Sequence, residues 1–223
     1  MSAIQPPTST AQLMQRAEAL AGHSLGELAE QFRAQLPDNL LLEKGWIGQF
    51  LEHLLGASAG SLPQPDFPEL GVELKSIPVD ARGKPLESTF VSVVNLQQPH
   101  LESWHTSVVR LKLSCVLWLP ILTERHQPLT ARRIGMPLLW RPNQAQWQIL
   151  QSDWEEAMEK VCLGQFDKLN ARFGEALQVR PKAANSRVLT TVTGRDGEPT
   201  QTLPRGFYLR SGFTQTILQS LAY

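Results

Sequence analysis

The side chains best suited to chemistry in this sequence lie in a short acidic stretch of its first third. Pro65 and Asp66 are followed there by Glu73, Leu74 and Lys75. On a β-strand Glu73 and Lys75 would leave the same face, about 7 Å apart, because alternate side chains share a face. The carboxylates of Asp66 and Glu73 and the Leu74 carbonyl are oxygen ligands of the kind that Mg²⁺ prefers. A lysine ammonium beside the ion can orient or deprotonate water or neutralise charge on phosphorus, so the stretch indicates metal-assisted phosphodiester hydrolysis.

The triplet of an acidic residue, any residue and lysine is a weak motif by itself. It is expected about once by chance in a chain of this length. The alternative interpretation is a solvated strand face with one salt bridge, which stabilises little. Three features favour the metal site: Asp66 precedes the triplet at a suitable distance, the triplet lies in an alternating pattern, and Glu52 projects from the preceding helix. We therefore expect Asp66, Glu73, Lys75 and Glu52 to form one catalytic group.

A helix and a strand must position these residues. The sequence KGWIGQFLEHLLG at 44–56 predicts a helix with one apolar face, and Glu52 and three glycines along the other face. An interior glycine costs a helix about 1 kcal/mol relative to alanine, so we expect a strand or a phosphate backbone to approach that face closely. Residues 70–77 predict a strand with Val72 and Leu74 on one side and Glu73 and Lys75 on the other.

The remainder of the chain alternates between helical and strand patterns, which predicts an α/β fold with helices flanking a mixed central sheet. Further helices are predicted at 9–20, 24–32, 143–163, 165–173 and 213–221, and further strands at 88–96 and 116–121. Residues 104–113 are less regular, with Arg110 and Lys112 alternating with apolar residues. We expect a disordered stretch at 1–8 and one domain at 9–223, with a catalytic lobe at about 9–105 and a DNA-reading lobe at about 106–223.

Composition places the chain among ordinary globular proteins. Of its 223 residues 42% are hydrophobic and 19% charged, no apolar run reaches the roughly 18 residues of a membrane-spanning helix, and the first residues do not resemble a secretory leader. The two cysteines, Cys115 and Cys162, lie in apolar segments without metal-site spacing. We interpret them as buried hydrophobic residues of a protein in the reducing cytoplasm.

The net charge of zero hides a difference between the two halves of the sequence. Residues 1–100 hold 6 basic and 11 acidic residues, whereas 101–223 hold 15 basic and 10 acidic residues. Such a difference suits a site that binds a metal with one lobe and a polyanion with the other. The alternative is chance variation of surface charge. A neutral total argues against a protein that coats nucleic acid non-specifically.

The PD…ELK motif resembles the PD-(D/E)xK nucleases, the restriction-endonuclease-like group. The likeness extends over nearly the entire chain to the MutH family of mismatch-repair endonucleases. It is carried, in the same order along the chain, by KGWIGQFLEHLLGASAGS, DFPELGVELKSIPVD, PLESTFVSV, VLWLPI, LGQFDKLNARFGE, QVRPKAAN and LPRGFYL. Seven collinear segments are far more specific than the catalytic triplet, and only the loop around 95–105 departs from the family pattern by its shorter length.

The resemblance implies a restriction-endonuclease-like fold with two arms around a DNA-binding cleft. It implies a monomeric, Mg²⁺-dependent enzyme that nicks the unmethylated strand of double-stranded DNA at hemimethylated GATC sites. It also implies stimulation by MutL, with MutS acting upstream. The acidic and lysine residues of the family site fall on Asp66, Glu73 and Lys75, and the upstream glutamate of the family falls on Glu52.

The resemblance also marks residues that contact DNA. The segment that reads the recognition bases falls on Arg180, Pro181 and Lys182, the tyrosine near the methylated adenine on Tyr208, and a basic residue near the scissile phosphate on Lys112. Arg205, in the same segment as Tyr208, joins this group. From its place at the start of a helix, Lys44 is expected to contact phosphate, or else to be a solubilising charge.

Elementary recognition chemistry supports these positions. Arginine forms the best bidentate contact with guanine in the major groove, where a methyl group on adenine N6 also projects. An aromatic side chain such as Tyr208 can therefore distinguish the methylated base by contact. The alternatives are a solvated basic turn for Arg180 and Lys182, and a core tyrosine for Tyr208. Two other functions stay open from the sequence, a DNA-binding repair adaptor that cuts nothing and a restriction enzyme that cuts both strands.

Overall fold

The structure is a computed structural model that describes residues 4–37, 45–170, 172–183 and 187–219. Within these residues the α-helices are α1 (Thr10–Leu20), α2 (Leu25–Gln31), α3 (Trp46–Leu55), α4 (Val108–Leu113), α5 (Gln144–Cys162) and α6 (Ser211–Gln219). The strands are β1 (Glu73–Val79), β2 (Thr89–Val93), β3 (Val116–Leu122), β4 (Arg133–Ile134), β5 (Leu138–Trp140), β6 (Leu177–Pro181), β7 (Thr190–Thr193), β8 (Pro199–Thr202) and β9 (Arg205–Leu209).

The chain folds into two units, each built from separate stretches of sequence. The first takes Met1–Glu87, Ser114–Arg141 and Gln215–Tyr223, and the second takes Ser88–Leu113 and Pro142–Thr214. Counted along the sequence, the first unit holds 10 basic and 12 acidic residues and the second 11 and 9. The resulting net charges of −2 and +2 are smaller in magnitude than the net charges of the two sequence halves. The predicted charge separation is therefore weak between the units.

A mixed four-stranded sheet forms the centre of the first unit. Strand β1 pairs in parallel with β3, and β3 pairs antiparallel with both β4 and β5. The register sets Glu73 beside Val116 and Lys75 beside Trp118. One side of β1 and β3 turns Leu74, Leu117 and other apolar residues into a core that also receives the buried face of α3.

The second unit holds two smaller antiparallel sheets. Strand β9 lies between β2 and β6, and β7 and β8 form a separate hairpin. The predicted α/β class with helices flanking a mixed sheet is confirmed. In the described chain the strands divide among three sheets, however. Only the sheet of the first unit is mixed, because it alone contains a parallel pair of strands, β1 with β3.

Polar side chains cap the starts of three helices. The Ser9 hydroxyl accepts a hydrogen bond from the Gln12 N–H at the start of α1. Ser24 and Glu27 form a reciprocal capping box at the start of α2. Asn143 and Gln146 do the same for α5. These side chains satisfy N–H groups that have no partner inside the helix.

The expected stripe of three glycines within α3 is wrong in part. Gly45 and Gly56 flank the helix with φ angles of 93° and 81°, the left-handed region that favours glycine, and only Gly48 is interior. A Cβ on Gly56 would lie 2.6 Å from the Gln5 carbonyl oxygen. Close approach therefore occurs at the end of the helix, and within the protein the N-terminal backbone rather than a strand makes it.

Several other element boundaries differ from the predictions. Strand β1 begins at Glu73 rather than 70, because Pro68–Leu70 forms a 3₁₀ turn before it. Residues 104–113 contain helix α4. The Arg110 N–H donates to the Ser107 hydroxyl (3.1 Å) at its start, a local hydrogen bond that the alternation of basic and apolar residues in the sequence does not reveal. The helix predicted at 165–173 shrinks to the 3₁₀ turn Phe166–Lys168. The last two residues predicted for the closing helix lie outside the described residues. In the described chain no helix has the length and apolarity to cross a bilayer.

Candidate functional site

The predicted catalytic side chains Asp66, Glu73 and Lys75 come together in the first unit, and we call them the charged cluster. The Lys75 Nζ lies 2.6 Å from Glu73 Oε1, as expected for side chains two apart on one strand face. Glu73 is 1% exposed and Asp66 is 8% exposed. The cluster therefore holds two carboxylates and one ammonium where water is largely excluded.

A tight loop brings Asp66 to the strand. Phe67 and Val72 exchange backbone hydrogen bonds of 2.9 and 3.2 Å, which closes the loop between them. Gly71 allows the turn with a φ of 62°. The Leu74 N–H then donates to Asp66 Oδ2 (2.8 Å), so the Asp66 carboxylate is fixed to β1 between Glu73 and Lys75.

The electrostatics of the charged cluster favour a cation. Burial and, next, the charge of Glu73 raise the pKa of Asp66 to about 6 from 3.8, against the lowering influence of the Leu74 N–H and Lys75. Glu52 adds a smaller increase, so α3 places its carboxylate within electrostatic reach of Asp66. The protein thus concentrates more negative charge here than Lys75 compensates, and a bound cation would relieve it.

The donor atoms fit Mg²⁺ better than a softer metal. Lys75 Nζ binds Oε1 of Glu73 and the Leu74 N–H donates to Oδ2 of Asp66, so both side chains present carboxylate oxygen, the donor atom that Mg²⁺ prefers. Across the residues that the structure describes, no three His, Cys, Asp or Glu side chains form a metal-binding group. Mg²⁺ commonly binds through one or two carboxylates and keeps several waters, so two carboxylates suffice for it.

In the second unit, the predicted DNA-reading residues Arg180, Lys182 and Tyr208 form a row of contacts with Phe90, and we call these four the cation–aromatic cluster. Strand pairing sets Phe90 beside Tyr208, with ring centroids 5.4 Å apart and edge to face. The Arg180 guanidinium lies 5.6 Å from the centre of the Tyr208 ring, and the Lys182 ammonium lies 4.0 Å from that of Phe90. Each cation is thus paired with one ring.

The polar groups of this cluster are available for recognition. Arg180 and Lys182 are exposed, and Arg180 Nη1 donates to the Ser88 hydroxyl (2.8 Å). Burial raises the pKa of Tyr208 above its ordinary value of 10.0, while Arg180 opposes that increase. The Tyr208 hydroxyl therefore keeps its proton at neutral pH and can donate a hydrogen bond.

The other predicted DNA-binding residues lie elsewhere. Pro181 pairs with Arg205 at the end of the β6–β9 ladder. Arg205 Nη1 donates to the Leu169 carbonyl (2.9 Å), and burial lowers the pKa of Arg205. This guanidinium therefore faces a turn of its own unit rather than joining the cation–aromatic cluster. Lys112 lies on α4 and is half-buried. Lys44 lies outside the described residues.

Sequence reasoning missed three residues of the second unit. Phe90 was recognisable only as an apolar residue of a predicted strand. The buried carboxylate of Asp153 on α5 accepts hydrogen bonds from the N–H groups of Glu175, Ala176 and Leu177, at 2.6–3.0 Å. Asp153 thereby fixes the start of β6, the strand that carries Arg180, although nothing in the spacing marks it. The third is Gly206, beneath the two rings.

Comparison with known proteins decides the family. A family model described as "DNA mismatch repair enzyme MutH" matches residues 55–153. The DNA mismatch repair protein MutH of Vibrio campbellii is 56% identical over 212 residues, which cover 95% of this chain and 94% of that protein. This chain belongs to the MutH family. The MutH protein of Serratia proteamaculans is 54% identical over 213 residues (96% and 93% of the two chains), and that of Vibrio vulnificus is 55% identical over 214 residues (96% and 94%).

Membership of the MutH family confirms the predicted resemblance and makes the chain a DNA mismatch repair endonuclease. The hydrolysis of DNA requires both a group that activates water at phosphorus and a surface that binds the duplex. The charged cluster has the composition for the first task. The cation–aromatic cluster has the composition for the second.

Proposed function

We propose that this MutH-family chain nicks the unmethylated strand of duplex DNA at hemimethylated GATC sites by Mg²⁺-assisted hydrolysis. The observation that carries the proposal is the Leu74 N–H bond to Asp66, because it unites two buried carboxylates with Lys75 on one strand face. Such a group is the minimum needed to hold Mg²⁺ beside a phosphodiester and to stabilise the negative charge that develops on it.

Each residue of the charged cluster has a distinct task in this proposal. Asp66 and Glu73, with the Leu74 carbonyl, would hold Mg²⁺, which when bound supplies Lewis-acid polarisation of the scissile phosphate. Lys75, oriented by its bond to Glu73 Oε1, stabilises charge at phosphorus as an ammonium or takes a proton from water as an amine. Glu52 contributes negative charge beside Asp66.

The cation–aromatic cluster would read the DNA. Arg180 and Lys182 present charged donors that can bind guanine edges in the major groove, with Pro181 shaping the strand end between them. Tyr208 would contact the adenine whose methylation is sensed. Lys112, Arg205 and Lys44 complete the proposed DNA-binding set, Lys112 near the scissile phosphate.

Further parts of the proposal concern partners and organisation. A neutral total charge predicts weak DNA binding by the chain alone. Stimulation by MutL, itself acting after MutS, is therefore physically reasonable. One charged cluster in a monomer would cut one strand. A cytoplasmic location and the DNA-binding cleft stay predictions. The disorder predicted at 1–8 does not extend to Gln5, whose carbonyl accepts a hydrogen bond from Arg16 Nη1 (2.7 Å), and the two units interleave along the chain rather than dividing near residue 105.

A plasmid assay tests the function. Supercoiled DNA with one hemimethylated GATC site is incubated with the purified chain and Mg²⁺, and the cut strand is mapped. Open-circular product cut on the unmethylated strand, absent with a chelator, is the expected result. Linear product at low enzyme would instead identify a double-strand-cutting restriction enzyme. DNA binding with no cutting at any Mg²⁺ concentration, even with MutL added, would identify an adaptor.

A further inference from the structure

Gly206 occupies the middle of the sheet that carries the cation–aromatic cluster. It lies on β9, opposite Val93 of β2 and Arg180 of β6. Its φ angle lies outside the left-handed region, so the backbone there suits any residue. Glycine in the interior of a strand is unfavourable because it contributes no packing and loses much conformational freedom on folding. Some other feature must favour glycine at this position.

That feature is the pair of aromatic rings packed over the residue. A Cβ at position 206 would lie 2.9 Å from Phe90 Cε2 and 3.2 Å from Tyr208 Cε2. Both distances are shorter than an ordinary carbon–carbon contact of about 3.5–4.0 Å. Gly206 and Tyr208 are two residues apart, so both face the same side of the sheet. The rings therefore rest on the bare Cα of Gly206.

We propose that Gly206 is a positioning residue for DNA reading, because the space above its Cα sets the height and tilt of the Phe90 and Tyr208 rings. This inference rests on the proposed methylation-sensitive nicking and adds a residue that determines its specificity. The atoms that a new methyl group would meet are all side-chain ring atoms, Cε2 and Cδ2 of Phe90 and Cε2 of Tyr208, and none belongs to the backbone. The rings would therefore move, and the strand hydrogen bonds of β9 would stay.

A small movement of the rings matters because methylation is itself a small change. An adenine N6-methyl adds one carbon atom, and a gap of 0.5–1 Å already removes a quarter to a half of a carbon–carbon contact, by order of magnitude. Lys182 and Arg180 each lie over one of the two rings. Moving the rings therefore also moves the cations that would bind the neighbouring bases.

The test compares Gly206→Ala with Gly212→Ala. Gly212 lies in α6, and a Cβ there has no atom within 4 Å, so its alanine variant adds the same methyl group in open space. Nicking rates are measured on unmethylated, hemimethylated and fully methylated GATC duplexes. We expect Gly206→Ala to change the ratio of the unmethylated to the fully methylated rate by about fivefold or more. Gly212→Ala should leave that ratio within about twofold of the wild type.

A spectroscopic readout reports the rings without any cleavage. The chain has two tyrosines, so ring-labelled tyrosine gives a simple NMR spectrum in which Tyr208→Phe assigns the Tyr208 resonance. Gly206→Ala should shift that resonance and Gly212→Ala should not. If Gly206→Ala folds poorly, Phe90→Leu/Gly206→Ala replaces it, because leucine lacks the ring atom that the new methyl would meet. The double variant is compared with Phe90→Leu alone and should still change the methylation ratio, because the new methyl group also meets the Tyr208 ring. Where Gly206→Ala folds by itself, its effect on the ratio should be the larger of the two.

The outcomes separate the two proposals. Suppose that the wild type discriminates methylation, and that Gly206→Ala changes neither the rate ratio nor the Tyr208 resonance. This result would overturn the role of Gly206 and leave the proposed function intact. An equal effect of Gly206→Ala with and without Phe90→Leu would also overturn it, since the ring would then not transmit the change. A wild-type chain that does not discriminate methylation overturns the proposed function itself, before any variant is compared.

Discussion

The charged cluster of the first unit buries its ionisable groups, whereas the cation–aromatic cluster of the second unit exposes its cations. Glu73 is 1% exposed, and the Lys75 side chain 15%, while Arg180 and Lys182 reach solvent from a sheet whose rings lie beneath them. Burial strengthens electrostatic effects on reacting atoms, but a charge that recognises DNA must reach the duplex. The two clusters show how one chain satisfies both requirements in different places.

The clusters also differ in how the fold assembles them. A loop closed by Phe67 and Val72 joins Asp66 to Glu73 within ten residues of sequence. The cation–aromatic cluster needs β2, β9 and β6, whose residues are far apart in the chain. Substitutions in the first should therefore change chemistry with little effect on binding. Substitutions in the second should change recognition, and some should act from a distance.

The strongest test of this division is Glu73→Ala. We expect nicking to fall by about a thousandfold, because the variant removes a carboxylate from the proposed metal site and the partner that orients Lys75. DNA affinity, measured by fluorescence anisotropy, should change little. Glu69→Ala removes an exposed carboxylate from the same loop and serves as the matched control. Nicking by Glu73→Ala at the wild-type rate would show that the charged cluster is not the active site.

Asp153→Ala should give the next largest effect, on stability. The variant leaves three N–H groups before and within β6 without their carboxylate acceptor, and each buried N–H without a partner costs about 1–3 kcal/mol. Because these costs are not fully additive, we expect the free energy of unfolding to fall by about 2–4 kcal/mol. Chemical denaturation measures it, with Glu159→Ala on the exposed face of the same helix as the control. Equal stability of both variants would mean that Asp153 does not anchor β6.

Arg180→Ala should affect recognition rather than chemistry. We expect a loss of about 1–3 kcal/mol of discrimination between GATC and a site with one changed base pair. Competition binding measures this loss at fixed salt concentration. Arg172→Ala removes an exposed guanidinium from the same unit and should weaken binding to both sites alike. If Arg180→Ala did the same, Arg180 would be a phosphate contact and not a reader of bases.

The smallest predicted effect concerns pH. Since the pKa of Asp66 is raised to about 6, protons compete with Mg²⁺ below that pH, and the Mg²⁺ concentration for half-maximal nicking should rise about tenfold per pH unit. Glu52→Gln removes a charge that raises this pKa, so it should move the onset to slightly lower pH. An onset that does not move would show that Glu52 has no electrostatic influence on Asp66.

The same shift predicts a dependence of stability on pH. Between about pH 4 and 6 the folded, metal-free protein keeps a proton on Asp66 that the unfolded chain releases, because the folded pKa exceeds the ordinary 3.8. The contribution of Asp66 to stability is therefore fully present below pH 4 and is lost as the pH rises through 6. Thermal unfolding of the wild type and Asp66→Asn in a chelator should show this loss only in the wild type.

Local sequence rules predicted most of the elements and the catalytic group. The two-residue spacing of Glu73 and Lys75 determines that they share a strand face, and the capping residues Ser9, Ser24 and Asn143 mark the helix starts. The rules failed where tertiary contacts prevail. The segment 165–173 has a helical pattern, yet Arg205 binds its Leu169 carbonyl, which a continuing helix would use for its own hydrogen bonds.

The sequence by itself determined the identity of the reacting groups, because residue type and short-range spacing decide which donors and charges can meet on one strand. Only the tertiary structure decided how strongly those groups are desolvated and which distant residues hold them. Neither the raised pKa of Asp66, nor the three N–H groups on Asp153, nor the rings over Gly206 has a short-range pattern. Each of these three features arises from contact between segments far apart in the chain or from burial. Such contacts and such burial exist only once the chain has folded.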